Sequence, residues 1–227
     1  MSLSPNFGPR RNGLRPELVV LHYTAMESCD AAERALCDPG REVSAHYLIS
    51  EAGAVRALVD EEMRAWHAGA GTWAGAGDVN SRSIGIELAN TGFAPFAAAQ
   101  MDALERLLPG ILGRWSIPPE GVIGHSDMAP GRKSDPGPRF DWLRLARQGL
   151  SVWPDVACAK GAPAPEKRNF RDVASRFGYP DMDDDLLLQT VRLRFRPLVG
   201  GPLDATDMAI MTDLAARFGV DRTARNT

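Results

Sequence analysis

The apolar positions near the N-terminus predict a β-sheet. Residues 17–25 form a nearly continuous apolar run rich in β-branched side chains, which is typical of a strand buried on both faces. His22 lies near the C-terminal end of this run. Two more apolar runs, at 43–50 and 54–59, flank a turn that contains Gly53 and predict a β-hairpin.

The next predicted strand carries an isolated acidic residue. Residues 82–90 alternate, so two isoleucines and a leucine share one face, while Glu87 lies with small residues on the other. A carboxylate on such a strand is costly to bury unless a partner is present. Two interpretations stay open: a salt bridge to a neighbour such as Arg82, or a functional carboxylate.

Three segments with the apolar spacing of helices accompany these strands. Ser28 is a suitable N-cap for a short helix that ends at Leu36, and residues 140–150 form an amphipathic helix. Residues 96–115 show the same period, but Pro109 predicts a break or a kink within that helix.

The character of the chain changes near Trp153. Residues 160–165 are Pro-rich and predict a semi-extended linker. Beyond it, amphipathic segments predict three short helices, at 170–177, 183–195 and 204–218. The chain is therefore expected to divide into a large domain, a linker and a small all-helical domain, with bounds 1–158, 159–167 and 168–227.

Composition narrows the classes of function. The chain has 227 residues, 44% of them hydrophobic and 24% charged, and a formal net charge of −3. A net charge this near to neutral does not indicate the positively charged surface that binds nucleic acid. No apolar run is long enough to span a membrane, and the first residues lack the apolar core of a signal peptide. The sequence as written predicts a cytoplasmic protein, or a periplasmic or outer-membrane-anchored one if a leader has been removed.

The cysteines do not indicate a disulfide framework. Cys29, Cys37 and Cys158 are odd in number and have no C-x-x-C spacing. Free thiols are therefore expected in place of disulfides or a thiolate zinc site.

Residues 124–140 concentrate polar groups on one stretch. They include a His, two Asp, a Lys and three Pro, and Pro and Gly at this density predict an irregular loop after a strand. A metal-binding or general-base role for His125 with Asp127 or Asp135 is chemically reasonable. A charged loop is equally often only solvated.

The chain has four histidines, which are His22, His46, His67 and His125. Two of them lie at the ends of predicted strands, and with an Asp from the Pro-rich stretch they would give zinc three ligands and one open position. Zinc of this kind acidifies water and polarises a carbonyl, so hydrolysis of an amide or an ester is the natural chemistry. Spacing alone does not identify the ligands, because the 103 residues from His22 to His125 fit no local metal signature.

Six short motifs follow one another along the chain. They are Leu21-His-Tyr-Thr24, Ser44-Ala-His-Tyr-Leu48, Ala65-Trp-His-Ala-Gly69, Ser83-Ile-Gly-Ile-Glu-Leu88, Gly124-His-Ser-Asp127 and Arg132-Lys-Ser-Asp-Pro-Gly137. Their combination resembles the zinc-dependent N-acetylmuramoyl-L-alanine amidases of the type 2 (AmpD/AmiD) family over about residues 15–154. The helices after the linker resemble the AmiD branch, whose C-terminal domain is similar to a peptidoglycan-binding module.

The resemblance implies a fold and a set of site residues. The fold is α/β, with a central mixed β-sheet flanked by helices and a small C-terminal all-helical domain. One zinc per chain is implied, with His22, His125 and Asp135 as ligands, while Asp127 becomes a supporting or structural residue. Glu87 matches the catalytic Glu and Lys133 the cation beside the reacting carbonyl. The residues expected to contact substrate are Tyr23, Tyr47, Trp66, His67 and Asn90.

The implied activity is hydrolysis of the amide bond between the lactyl group of N-acetylmuramic acid, or its 1,6-anhydro form, and L-alanine. The substrate would be peptidoglycan or a muropeptide in cell-wall turnover or recycling. One alternative is a peptidoglycan-recognition protein with a structural zinc, and another is a zinc peptidase that cuts peptide stems. Retention of the three implied ligands together with Glu87 and Lys133 argues against a protein that only binds.

Overall fold

The computed structural model describes residues 4–157 and 163–220, and the element bounds below refer to these residues. The strands are β1 Phe7–Pro9, β2 Leu18–Tyr23, β3 Tyr47–Ile49, β4 Val55–Ala57, β5 Met63–Ala65, β6 Ser83–Leu88 and β7 Val122–Gly124. The helices are α1 Cys29–Leu36, α2 Val79–Arg82, α3 Ala98–Trp115, α4 His125–Met128, α5 Trp142–Arg147, α6 Lys167–Phe177, α7 Asp184–Phe195 and α8 Ala205–Phe218.

The central sheet has the order β4-β3-β6-β2-β7. Strand β2 pairs in parallel with β6 and β7, β3 pairs in parallel with β6, and β4 pairs antiparallel with β3. The predicted mixed sheet and the predicted hairpin of β3 and β4 are thus confirmed. A separate antiparallel pair joins β1 to β5.

Helices cover both faces of this sheet. On one face, α3 and α5 pack against the side chains of Val19, Leu21, Ile84 and Ile86. On the opposite face, the side chains of Val20 and Ile123 belong to an apolar cluster that the C-terminal helices share. Because β2 is buried on both faces, its sequence is almost continuously apolar, as the pattern of residues 17–25 indicated.

Two local predictions about the backbone are wrong: the break at Pro109 and the irregular backbone throughout the Pro-rich stretch. Helix α3 is not interrupted at Pro109: this residue lies on the exposed side, where water can satisfy the carbonyl that it leaves free, while Leu108 and Ile111 pack inward. The Pro-rich stretch is not irregular throughout, since it opens with the helical turn α4. The first proline of that stretch comes only at Pro130, so nothing prevents the turn.

The three C-terminal helices form close to the predicted positions, and they pack on the rest of the chain. Phe177, Leu187 and Leu214 lie in the same apolar cluster as Val20 and Ile123 of the central sheet. Residues 159–162 of the predicted linker, and Cys158, lie outside the described residues. Within the described parts of the chain, none of the helices combines the length and apolar character needed to cross a membrane.

Candidate active site

Three polar side chains converge at the C-terminal edge of the central sheet. His22 is near the end of β2 and His125 directly follows β7, so the parallel pairing of these strands brings the two histidines together. Asp135 comes from the Pro-rich stretch. The Nδ1 atoms of His22 and His125 are 2.9 Å apart, and Oδ2 of Asp135 lies 2.9 Å from the first and 3.0 Å from the second. All three residues are buried.

Hydrogen bonds on the far side of each ring determine which nitrogen carries the proton. His125 Nε2 lies 2.9 Å from the carbonyl of Ala68, which can only accept, so Nε2 is the donor and Nδ1 keeps its lone pair. Ser83 Oγ donates to the carbonyl of Val79 at 2.6 Å and accepts from His67 Nε2 at 3.1 Å.

The same reasoning extends from His67 to His22. Because Nε2 of His67 donates, its Nδ1 accepts, and His22 Nε2 donates to it over 3.0 Å. Nδ1 of His22 therefore also keeps its lone pair. Burial, together with the neighbouring His125, lowers the pKa of His22 to about 4, so the ring is neutral at neutral pH.

This arrangement fits a metal ion. Two ring nitrogens with lone pairs and one carboxylate oxygen are all acceptors, and three acceptors this close repel one another unless a cation lies among them. Two imidazoles and a carboxylate are ligands that zinc accepts, and each imidazole is oriented by a second hydrogen bond, as in known metal sites. Among the described residues, this group is the one whose ligand atoms converge closely enough to hold a metal.

Glu87 lies next to this group on the central strand β6, where it pairs in register with His22. Its Oε2 atom is buried and has no hydrogen-bond partner among the described residues. The interpretation of Glu87 as the partner of Arg82 is wrong, because Nε of Arg82 donates to Glu17 at 2.6 Å. Burial and the nearby charge of Asp135 raise the pKa of Glu87 to about 8, while Lys133 acts in the opposite direction.

The three acceptors and Glu87 open into a cleft of about 340 Å³. Of the residues expected to act on or contact substrate, Tyr23, Trp66, His67 and Lys133 line this cleft. The hydroxyl of Tyr23 also lies 2.9 Å from Ser134 Oγ, which joins β2 to the Pro-rich stretch. The cleft therefore combines a group that could hold a metal, the carboxylate of Glu87, a cation and aromatic walls.

Two residues expected to contact substrate lie elsewhere. Tyr47 precedes Leu48 on β3, and alternation turns its side chain to the sheet face that α3 covers, where its hydroxyl donates to Glu61. Asn90 is used within its own loop: its amide donates to the carbonyl of Ala94 at 3.2 Å, and its Oδ1 accepts from the N–H of Gly92 at 2.7 Å.

Several groups that build the site have no signal in the sequence. The carbonyl of Ala68 orients His125 and also accepts from Arg132 at 2.6 Å, but a backbone carbonyl leaves no side-chain pattern. Gly85 is needed for close approach, since a Cβ added there would lie 2.4 Å from the ring of His67. Contacts between elements far apart in the chain create these roles, so spacing within one segment does not reveal them.

Comparison with known proteins agrees with this geometry. A family model described as N-acetylmuramoyl-L-alanine amidase matches residues 12–138. N-acetylmuramoyl-L-alanine amidase AmiD of Escherichia coli (strain K12) is 38% identical over 91% of this chain and 85% of its own length. 1,6-anhydro-N-acetylmuramyl-L-alanine amidase AmpD of Enterobacter cloacae is 35% identical over 63% of this chain and 85% of its own length.

Solved structures extend the similarity to the fold. The complex of E. coli AmiD with the substrate anhydro-N-acetylmuramic acid-L-Ala-D-γ-Glu-L-Lys superposes with a TM-score of 0.82 at 37% identity, over 92% of this chain and 93% of that one. AMPDH3 from Pseudomonas aeruginosa superposes with a TM-score of 0.83 at 33% identity, over 92% of this chain and 94% of that one. Matches of this extent include most of the C-terminal helices.

Proposed function

The chain belongs to the N-acetylmuramoyl-L-alanine amidase family, and we propose that it cleaves its substrate with one zinc ion bound by His22, His125 and Asp135. As a member of this family it hydrolyses the amide bond between the lactyl group of the muramic acid and L-alanine, in peptidoglycan-derived material. The observation that supports the proposal most strongly is the convergence of the three acceptor atoms beside Glu87, whose buried Oε2 has no hydrogen-bond partner within the described residues.

When bound, zinc would act as a Lewis acid on the scissile carbonyl and on a water molecule. Glu87 is placed to take a proton from the attacking water and to deliver it to the amine of L-alanine as the bond breaks. Burial and the charge of Asp135 raise its pKa in the metal-free site, and a dication bound beside it would lower that pKa again, so Glu87 would be available as the carboxylate that accepts the proton. His67 and the carbonyl of Ala68 hold the two imidazoles in the tautomer that the site needs.

Lys133 supplies a positive charge at the wall of the same cleft. Negative charge develops on the lactyl carbonyl oxygen as water adds to the carbon, and a cation close by stabilises that charge. Tyr23 and Trp66 border the cleft and offer surfaces for the sugar or the first peptide residues. Asp135 contributes one negative charge, so a dication in the site would keep a net positive charge.

Known relatives guide the choice of substrate. The solved structure of AmiD is a complex with the substrate anhydro-N-acetylmuramic acid-L-Ala-D-γ-Glu-L-Lys, and AmpD is named a 1,6-anhydro-N-acetylmuramyl-L-alanine amidase. We propose that this chain likewise accepts anhydro-muropeptides, with a role in the turnover or recycling of cell-wall material.

Mass spectrometry of the products tests this function. Incubation with anhydro-N-acetylmuramyl-L-Ala-D-γ-Glu-L-Lys is expected to give free anhydro-N-acetylmuramic acid and the intact tripeptide, and a chelator is expected to stop the reaction until zinc is returned. Products in which sugar and L-alanine remain joined would instead indicate a peptidase. Absence of any cleavage by the zinc-loaded protein would instead indicate a protein that binds peptidoglycan without hydrolysing it.

A further inference from the structure

The C-terminal helix α7 reaches the turn that carries His125. Arg194 lies on this helix, and its Nη1 donates to Oδ2 of Asp127 over 2.7 Å. Both side chains are only 1% exposed, so the ion pair is almost completely removed from water. Asp127 follows His125 by two residues in the helical turn α4. A residue of the C-terminal helices thus contacts the segment that supplies an expected metal ligand.

Asp127 is the residue that holds this turn together. Its Oδ2 accepts from the N–H of Gly124, directly before His125, at 2.8 Å. Its Oδ1 accepts from the hydroxyl of Tyr179 at 2.8 Å, and Tyr179 is itself fully buried just after α6. The carboxylate is therefore fixed on one side by the backbone around His125 and on the other by two side chains of the C-terminal helices.

The guanidinium of Arg194 also contacts the strand before His125. Its Nη2 donates to the carbonyl of Val122 on β7 at 3.1 Å and to Ser151 Oγ at 3.2 Å. The carbon at the centre of the guanidinium lies 4.1 Å from the centre of the Trp142 ring, which it faces. One side chain therefore joins β7, the strand directly before His125, to α4, the helical turn that His125 begins.

A buried ion pair is a poor means of attaching one set of helices to another. Apolar side chains of similar volume stabilise such contacts at least as well. The reason is that the free energy needed to remove two charges from water offsets most of the free energy gained from their attraction. What the polar contacts add is direction: each one fixes the orientation of a backbone N–H, a carbonyl or a carboxylate within the turn. This directionality is useful where a ligand must be held at one angle.

We propose that Arg194, together with Tyr179, positions His125 for metal binding through Asp127, so that the C-terminal helices complete the metal site. The inference rests on the metal site proposed above. The hydrogen bonds of Arg194 and Tyr179 do not go to the three ligands and neither residue lines the cleft, so they act through the conformation of residues 124–127. Polar groups that orient a ligand typically change metal affinity by about 10- to 100-fold when they are lost.

Arg192 provides a matched control on the same helix. Its guanidinium pairs with the buried Asp207 at 2.5 Å and donates to the carbonyls of Gly201 and Pro202 at 2.7 and 2.8 Å, all within the C-terminal helices and their loops. It is nearly as buried as Arg194: counted over the whole residue, 6% of the surface of Arg192 is exposed and 2% of that of Arg194. Arg192→Met should therefore weaken the C-terminal helices without a change in the turn around His125.

The experiment measures zinc affinity in full-length proteins by competition with a chromophoric chelator, and the visible spectrum after cobalt(II) substitution. Arg194→Met is expected to bind zinc about 10- to 100-fold more weakly and to alter the cobalt bands, Tyr179→Phe to show a smaller effect in the same direction, and Arg194→Lys to recover part of the affinity. Arg192→Met is expected to lower the melting temperature while zinc affinity and cobalt bands stay as in the wild type.

Several outcomes would overturn the proposal. Wild-type zinc affinity and cobalt bands in folded Arg194→Met would do so, as would an equal loss in Arg192→Met. If Arg194→Met does not fold, Tyr179→Phe decides, since it removes only a hydroxyl, and an unchanged affinity there would also reject the idea. A wild-type protein that binds no zinc, or a His125→Ala protein with undiminished affinity, would instead refute the underlying metal site.

Discussion

At the scale of single residues, Glu87 is distinguished by the lack of a hydrogen-bond partner for its buried Oε2 among the described residues. Carboxylates on buried strands are normally paired, but the buried Oε2 of Glu87 has no hydrogen-bond partner in the described part of the chain, and Arg82, the partner considered from the sequence, pairs with Glu17. The carboxylate is therefore available for proton transfer beside the three acceptors. Alternation along β6 was sufficient to predict which face Glu87 occupies, whereas the identity of its neighbours came only from the pairing of β6 with β2.

Replacement of Glu87 by Gln tests its role in proton transfer. The amide is nearly isosteric and cannot accept a proton at neutral pH, so kcat should fall by about 10²- to 10⁴-fold. Zinc content and melting temperature should change little, because Glu87 is not among the ligands. Steady-state kinetics on an anhydro-muropeptide, with metal analysis of the same samples, measures both, and near wild-type turnover would place the base on another residue.

His67 was expected to contact substrate or to support the cleft, and its hydrogen bonds favour support of a ligand. His67→Phe keeps a ring against Gly85 but cannot accept the proton of His22 Nε2, so zinc affinity should fall by about 10- to 100-fold. A competition titration gives this affinity. A variant with wild-type zinc affinity and a raised KM would instead show that His67 contacts substrate directly.

At the scale of elements, the sequence predicts strands and helices better than the contacts between them. The predicted segments of β2, β6 and the three C-terminal helices match the structure closely, because β2 is a continuous apolar run and the others have a clear apolar period. Tyr47 shows the limit of such predictions. A shift of one position along β3 moves a side chain to the other face of the sheet, and the motif match did not indicate which face Tyr47 occupies. The metal ligands were predicted from a resemblance to a family and not from spacing. Spacing could not identify them, because parallel strand pairing brings His22 next to residues far along the chain.

His46 links two elements and should make stability depend on pH. Its Nδ1 accepts from the N–H of Gly85 on β6 at 2.9 Å, and its Nε2 donates to the carbonyl of Met63 on β5 at 3.1 Å. Burial lowers the pKa of His46 to about 3, against an ordinary value of 6.5 in the unfolded chain. Between these values the unfolded chain binds the extra proton, so the free energy of unfolding decreases as pH falls.

Denaturant unfolding of the metal-free protein at several pH values measures this contribution. In the window from pH 6.5 down to about 3, His46 should contribute a slope of up to about 1.4 kcal/mol per pH unit. His46→Asn offers an oxygen to the N–H of Gly85 and does not titrate, so its slope should be shallower by about that amount. Identical slopes for the two proteins would show that His46 does not titrate as its burial implies.

At the scale of the whole molecule, the C-terminal helices and the central sheet share one apolar cluster. Trp73 packs edge-on against Phe177 and Tyr179, with ring centres 5.8 and 5.2 Å apart. No feature of the sequence predicted this, because a Pro-rich segment followed by three amphipathic helices is equally typical of a separate domain. The division at 158 and 168 therefore stays a prediction about the chain, and the shared cluster favours a structural role for the helices.

Removal of residues 158–227 tests that role. The truncated protein would expose Trp73, Met128 and the central-sheet side chains that face the C-terminal helices, and it would leave Asp127 without Arg194 and Tyr179. We expect a product that aggregates or that retains little zinc. A soluble, zinc-replete fragment that cleaves a small anhydro-muropeptide at the wild-type rate but no longer sediments with sacculi would show that the helices serve substrate docking instead.

The central claim is that His22, His125 and Asp135 bind one zinc ion on which amide hydrolysis depends, and metal analysis of purified protein tests it most directly. Inductively coupled plasma mass spectrometry should find about one zinc per chain in the wild type, as expected for a site with three protein ligands. His125→Ala should retain little zinc and no measurable amidase activity, while Glu87→Gln, although inactive, should keep its zinc. Stoichiometric zinc in folded His125→Ala protein would contradict the account.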